Sequence, residues 1–164
     1  SGGSLKEGET YVFESKDGAV EAGKIIKEWL INDNSINETH YDTYGETSFE
    51  AVFSRSDANS EGKIKISFTT KDAEEVIVKF DESKIKCKTV GNNSITLSTG
   101  TRVKEGEYDG YLLFEATKIS DAQKIKDWRV NGANTGYKGR LQFHWVIDAR
   151  GKDDGAVTID FEEN

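Results

Sequence analysis

Short segments in which apolar and polar residues alternate run through most of this chain. A period of two is typical of β-strands that are buried on one face only. The segments are 47-TSFEAVFS-54, 63-KIKISF-68, 75-EVIVKF-80, 84-KIKCKT-89, 111-YLLFEA-116, 141-LQFHWVID-148 and 156-AVTIDF-161. They predict an all-β fold, which we expect to be a two-sheet antiparallel β-sandwich of the jelly-roll-like kind.

Two segments depart from this alternation. In the first, the apolar residues at helical spacing are Ala22, Ile25, Ile26, Trp29 and Leu30. This spacing predicts one amphipathic helix near residues 18–31, with Trp29 in the core. In the second, 120-SDAQKIKDWRVNG-132, we predict one helical turn that leads into a strand.

These two segments also resemble each other. KIIKEWLIN from Lys24 and KIKDWRVN from Lys124 each follow a KEGE sequence and an aromatic strand that ends in Phe-Glu. A weaker similarity joins 62-GKIKISF-68 to 155-GAVTIDF-161. An internal duplication and chance similarity between strand sequences both explain the pattern. A duplication would imply two similar sheets or half-barrels about a pseudo-twofold axis.

Length and charge define the broad class of protein. The 164 residues suffice for one core, so we predict a single, monomeric β-sandwich domain over residues 5–164. Residues 1–4, Ser-Gly-Gly-Ser, have linker composition and are interpreted as a tag remnant or flexible tether. The net charge of -8 disfavours nucleic-acid binding. No apolar run is long enough for a membrane span, and the lone Cys87 is predicted to be a small buried residue.

Motifs for catalysis are lacking in the sequence. It has no G-x-S-x-G turn and no P-loop, and its two histidines, His40 and His144, are near no motif. We therefore assign no catalytic residue and no required cofactor. The 30 acidic residues leave a glycoside hydrolase-like enzyme open as a third hypothesis, because such enzymes need two carboxylates across a cleft.

One segment has metal-ligand spacing. Residues 57-DANSEG-62 match the first half of a calcium loop, in which alternate oxygens face one point. Asp57, Asn59 and Glu61 are therefore predicted to hold a structural calcium ion. Phe68 stands where the loop needs a closing Glu, so a polar hairpin is the other interpretation.

Aromatic and polar side chains mark the candidate ligand site. Alternation in 141–148 predicts that Trp145 is in the core, whereas Gln142 and His144 project from the opposite face. Sugars bind flat aromatic faces and hydrogen-bonding side chains. The predicted ligand-binding residues are Trp128, Tyr137, Arg129, Gln142, His144, Tyr41 and Tyr44.

The layout, an acidic sandwich with loop aromatics behind a linker, resembles the jelly-roll carbohydrate-binding modules of secreted bacterial enzymes. This is a resemblance of type, without residue correspondence. We predict a non-catalytic carbohydrate-binding module, extracellular or at the cell surface, that docks a polysaccharide or cell-surface glycan on loop aromatics. The alternative is a surface lipoprotein or adhesin domain that binds a protein partner through a sheet edge or the 18–31 helix.

Overall fold

A computed structural model describes residues 3–37 and 42–164. The chain divides into two compact units, unit 1 (Ser1–Asp72) and unit 2 (Ala73–Asn164). In the described residues both units consist of strands and turns, and the helical segments are three 3-10 turns of three or four residues. The all-β prediction is confirmed. The single domain expected over residues 5–164 stays a prediction.

The described part of unit 1 contains five strands in two small sheets. They are β1 (Thr10–Glu14), β2 (Lys24–Ile31), β3 (Asn34–Ser35), β4 (Ser48–Val52) and β5 (Ile66–Asp72). β1 pairs with β4, and β2 lies between β3 and β5 in the second sheet. All three pairings are antiparallel. The two sheets share a core, in which the ring of Trp29 on β2 lies 4.9 Å from that of Phe49 on β4.

The amphipathic helix predicted near residues 18–31 is wrong, because residues 24–31 form β2. The register between β2 and β5 shifts between Ile26 and Glu28, which indicates a β-bulge at Lys27. A bulge adds one residue to one strand, so the inward side chains on its two sides are three residues apart instead of two. Ile26 and Trp29, exposed by only 2% and 3%, therefore imitate the spacing of a helix face. The predicted core position of Trp29 is confirmed.

Unit 2 contains nine strands in two larger sheets. They are β6 (Glu75–Lys79), β7 (Ile85–Thr89), β8 (Thr96–Leu97), β9 (Thr101–Lys104), β10 (Tyr111–Ala116), β11 (Ile125–Val130), β12 (Ala133–Asn134), β13 (Gln142–Val146) and β14 (Ala156–Glu163). The five-stranded sheet has the order β12-β11-β14-β6-β9, and the four-stranded sheet has the order β13-β10-β7-β8. β14 and β6 are parallel, and the other pairs are antiparallel.

Both sheets of unit 2 contribute to one hydrophobic core. Trp128 on β11 stacks on Phe143 on β13, with 5.6 Å between the ring centroids. Phe114 on β10 is completely buried. Trp145 and Cys87 are also buried, which confirms both predictions.

The sequence segments map well onto these strands. Each of the seven alternating segments overlaps a strand, although β5 shares only residues 66–68 with the segment 63–68. The prediction for residues 120–132 is also confirmed, because a 3-10 turn at Ala122–Lys124 leads into β11. The Asp121 side chain begins this turn by accepting the backbone N–H of Gln123 at 3.0 Å.

The strand arrangement of unit 1 recurs in the last five strands of unit 2. β1 to β5 correspond in order to β10 to β14, and each of the three strand pairs of unit 1 recurs between the corresponding strands. The register recurs as well, since Phe13 is opposite Phe49 and Phe114 is opposite Phe143. β11 even carries a bulge two residues before its tryptophan, as β2 does. The sequence similarity between the two segments therefore coincides with a structural repeat.

The hydrogen bonds of the two tryptophans support this correspondence. The indole N–H of Trp29 donates to the carbonyl of Glu46 at 3.0 Å. The indole N–H of Trp128 donates to the carbonyl of Arg140 at 2.8 Å. Each acceptor lies three residues before the phenylalanine, two strands further along the chain, that packs against the tryptophan ring.

An asparagine at the end of β2 and of β11 recurs in the same way. Asn32 and Asn131 have positive φ angles of 49° and 50°. Asn32 donates to a carbonyl in the loop before β5 at 2.6 Å and accepts the N–H of Lys65 at 2.8 Å. Asn131 donates to a carbonyl in the loop before β14 at 2.5 Å and accepts the N–H of Thr158 at 2.8 Å. The side-chain hydrogen bonds of each asparagine thus link the turn in which it lies to the last strand of its unit and to the loop before that strand.

Candidate functional site

The candidate site is the solvent-facing side of the four-stranded sheet of unit 2. Along β13 the core residues Phe143 and Trp145 alternate with Gln142 and His144, which are exposed as predicted. β10 and β7 alternate in the same way. We call this surface the outer face. It is formed by Lys86, Lys88, Tyr111, Leu113, Glu115, Gln142, His144 and Val146.

A row of polar groups crosses three strands of the outer face. The amide nitrogen of Gln142 on β13 donates to a carboxylate oxygen of Glu115 on β10 at 3.1 Å. The ammonium group of Lys88 on β7 lies 2.7 Å from the other Glu115 oxygen. These hydrogen bonds, from Lys88 first and then from Gln142, lower the pKa of the Glu115 carboxyl group. The row therefore presents a carboxylate with an ammonium and an amide on either side.

An apolar strip lies beside this row. Leu113 on β10 is opposite His144 on one neighbouring strand and Lys88 on the other. Tyr111 is opposite Val146. Leu113, Tyr111 and Val146 are all partly exposed. The outer face thus combines hydrogen-bonding groups with an accessible apolar surface.

The structure places Trp128 in the core rather than at a ligand surface. Its exposed fraction is 0%, and its ring stacks on Phe143 and meets Phe161 edge-on at 5.2 Å. With its N–H donated to a backbone carbonyl, neither ring face nor polar atom is available to a ligand. The predicted docking role of Trp128 does not fit this burial.

Arg129 and Tyr137 are accessible but belong to other parts of unit 2. Arg129, on the five-stranded sheet, bonds to Asp160 at 2.7 Å, and this hydrogen bond with the Asp160 charge raises the Arg129 pKa. Tyr137 is 41% exposed, and its ring meets the inward-facing Phe143 edge-on at 5.1 Å. The Arg140 guanidinium lies 5.7 Å from the Tyr137 ring centroid. Neither residue lies on the outer face with Gln142 and His144.

The two tyrosines predicted in unit 1 have different outcomes. Tyr44 is only 4% exposed, and its hydroxyl accepts a hydrogen bond from the Lys71 ammonium group at 3.0 Å. The burial of its ring does not fit the predicted docking role. Tyr41 lies outside the described residues.

The residues of the predicted calcium loop make local hydrogen bonds. The Asp57 carboxylate accepts the backbone N–H of Ser54 at 2.6 Å. The side-chain oxygen of Asn59 accepts two backbone N–H groups within its own turn, and Glu61 pairs with Lys63 at 3.1 Å. In residues 3–37 and 42–164 no group of three or more His, Cys, Asp or Glu side chains is arranged to hold a metal ion. The calcium site stays a prediction.

Sequence reasoning missed the partners of Gln142 and His144 on the neighbouring strands. Leu113, Glu115 and Lys88 belong to alternating segments, so the sequence predicts that their side chains point outward. The order β13-β10-β7, which brings them together, comes from pairings between distant parts of the chain. No local signal in one sequence specifies that order.

Comparisons with known proteins identify no relative. No protein-family model matches the chain, and searches of curated proteins and of solved structures gave no match. Among the described residues, no helix has the length and apolar character needed to cross a membrane.

Proposed function

We propose that this protein is a non-catalytic binding module, extracellular or at the cell surface, whose outer face binds a polysaccharide or cell-surface glycan. The observation that carries the proposal is the polar row of Gln142, Glu115 and Lys88 beside the partly exposed Leu113. Two sheets that share a core support a jelly-roll-like sandwich as the scaffold.

The chemistry of the row suits hydroxyl groups. A sugar hydroxyl both donates and accepts, so it can bond to the Glu115 carboxylate and to the donors of Lys88 and Gln142. Neighbouring strands are about 4.8 Å apart. The three groups therefore form an extended ladder rather than a point site, which fits a chain of sugar residues better than a single small molecule.

The apolar strip supplies the second requirement for a glycan. Sugar rings have C–H patches that pack on apolar or aromatic side chains. In the proposed mechanism Tyr111 and Leu113 take this role, whereas the buried Trp128 and Tyr44 support the fold. Gln142 and His144 keep their proposed part in polar selectivity.

Affinity electrophoresis against a panel of soluble plant and microbial polysaccharides tests this function. We expect retardation by at least one glycan, and we expect Leu113→Ser with Gln142→Ala to weaken it at least tenfold, about 1.4 kcal/mol. The matched control changes the corresponding positions of unit 1, Val12→Ser with Ser48→Ala, and should leave retardation unchanged. A chelator in the gel tests the predicted calcium ion. If calcium supports the site, removal of the ion by the chelator should reduce the retardation.

Two outcomes would contradict the glycan proposal. One is equal retardation of the outer-face variant and the unaltered chain, and the other is no retardation across the panel. The second outcome favours a protein partner bound through a sheet edge, as in a surface lipoprotein or adhesin domain. The observation in favour of that candidate is that, among the described residues, β1 pairs only with β4 and β5 only with β2.

A further inference from the structure

We propose that unit 1 is an incomplete copy of the repeat, and that the edges left unpaired among its described residues, along β1 and at the start of β5, bind a polypeptide segment with the pattern of β6 and β7. This inference is independent of the glycan proposal, because it concerns another surface. It starts from the structural repeat, in which β1 corresponds to β10 and β5 to β14.

In unit 2 one continuous segment occupies both of these edges. β6 lies beside β14 in parallel, with Val78 opposite Val157. The chain then turns, and β7 lies beside β10 antiparallel, with Lys88 opposite Leu113. In unit 1 no described strand takes either place.

The backbone of β1 directs hydrogen-bonding groups toward its free edge. Ser15 donates its N–H to Thr47 on the β4 side at 2.9 Å. Because successive N–H groups of a strand point to opposite edges, those of Val12 and Glu14 point away from β4. The corresponding groups of unit 2, on Leu113 and Glu115, point toward β7 by the same rule. This follows because Thr117, two residues further along, donates to Lys84 at 2.8 Å.

The burial of corresponding side chains differs between the two units, as expected if unit 1 lacks a counterpart of the β6 and β7 segment. Phe13 and Ile66 of unit 1 are partly exposed, whereas their counterparts Phe114 and Ile159 are 0% exposed. Val12 is 61% exposed. These side chains leave apolar surface uncovered beside strand edges that no described strand of unit 1 pairs with, which is the combination that strand addition uses.

The β6 and β7 segment carries the side chains that complete the core of unit 2. Val76, Val78, Ile85 and Cys87 point inward and are at most 3% exposed. Phe80, between the two strands, places its ring 5.7 Å from Phe114.

The charges of the segment also have a counterpart in unit 1. Lys88 on β7 pairs with Glu115 on β10 at 2.7 Å. Glu14 holds the position of Glu115 in unit 1. The occupant we propose is therefore a polypeptide with two amphipathic strands, joined by a turn with an aromatic residue, and with a lysine placed to meet Glu14.

Amide hydrogen exchange measured by NMR on the full chain tests this proposal. The probe is a synthetic peptide of residues 73–90 with Cys87→Ser. At saturation we expect exchange at Val12, Glu14 and Ile66 to slow at least tenfold. The amides of Leu113 and Glu115, which are already paired in unit 2, should not change. The control peptide carries Val76→Lys, Val78→Lys and Ile85→Lys and should protect none of them.

Several results would overturn the proposal. They are no protection in unit 1, equal protection by the control peptide, or protection confined to unit 2. If the peptide is insoluble, the same segment can be joined through a flexible linker ahead of Leu5, with the lysine-substituted segment as its control. The protection expected at Val12 and Glu14 is the same, and its absence overturns the proposal.

Discussion

Units 1 and 2 share five strands but differ in how completely their cores are closed. In unit 2 the side chains of Phe114 and Ile159 are completely buried, whereas Phe13 and Ile66 of unit 1 remain partly exposed. The shared strands are paired alike in both units. The difference therefore comes from β6 to β9, four strands of unit 2 that have no counterpart among the described residues of unit 1. The pairings among the five shared strands define the repeat, and strands added to its edges close the core.

The smaller features that the units share depend only on the strands and loops of the repeat. The bulge before each tryptophan, the bond from its indole N–H and the asparagine at positive φ recur in both units. None of them requires β6 or β7. These features are thus expected to form in unit 1 without the strands that correspond to β6 and β7.

Removing the tryptophan of each unit gives the largest expected effect. Trp128→Ala should lower the free energy of unfolding of unit 2 by about 3–5 kcal/mol, because the ring is completely buried. Trp29→Ala should cost unit 1 less, since its smaller and partly open core can relax around the cavity. Urea unfolding followed by circular dichroism measures both. An equal or greater loss for Trp29→Ala would show that the core of unit 1 is as well closed as that of unit 2.

Removing Asn32 and Asn131 tests whether equivalent hydrogen bonds contribute equally to the free energy of unfolding of the two units. Asn32→Ala and Asn131→Ala should each cost about 1–2 kcal/mol, because each loses two hydrogen bonds and places alanine at positive φ. Glycine at the same positions is the control, since it keeps the turn and loses only the side-chain bonds. Clearly unequal losses of unfolding free energy in the same urea experiment would show that the two units share the geometry of these bonds but not their contribution to stability.

Cys87 provides a smaller effect that reports on unit 2 alone. Burial raises the pKa of its thiol to about 12, so the folded protein keeps a proton that the unfolded chain releases near pH 9. Stability should therefore fall as the pH rises above about 9, by about 1.4 kcal/mol at pH 10. Cys87→Ala is the control and should remove this part of the decline. A decline of the same size in that variant would contradict the assignment.

Chemical labelling of the Cys87 thiol shows which of the two units unfolds first. At pH 8 we expect iodoacetamide to leave Cys87 unmodified until unit 2 unfolds, because alkylation requires an exposed thiolate. If unit 1 is the less stable unit, its amides exchange at urea concentrations where Cys87 is still protected. Labelling of Cys87 at or below those concentrations would reverse the expected order.

The sequence predicts the strands with regular alternation, but not the segments in which alternation is interrupted. β10 lies at the residues expected, since 111-YLLFEA-116 has no bulge. The sequence predicts a helix at β2 because the bulge at Lys27 separates Ile26 and Trp29 by three residues. The similarity of KIIKEWLIN and KIKDWRVN was visible because both contain the same bulged strand and the turn after it.

The candidate site was only partly predictable. The outward direction of Gln142 and His144 follows from the period of their own strand, and their exposure confirms it. The burial of Trp128 and Tyr44 depends on distant residues such as Phe161 and Lys71. An aromatic residue in a polar, glycine-rich segment gives no local sign of such contacts, so core and surface roles look alike in the sequence.

The parallel pairing of β6 and β14 has a mechanical consequence. They are the first and last strands of unit 2, and they lie side by side in the same direction. Tension applied at the two ends of unit 2 shears β6 against β14 along their length. The backbone hydrogen bonds between the two strands therefore share the load and must break together. In unit 1 the first and last described strands, β1 and β5, belong to different sheets. Under tension, unit 1 should therefore extend first, while unit 2 resists.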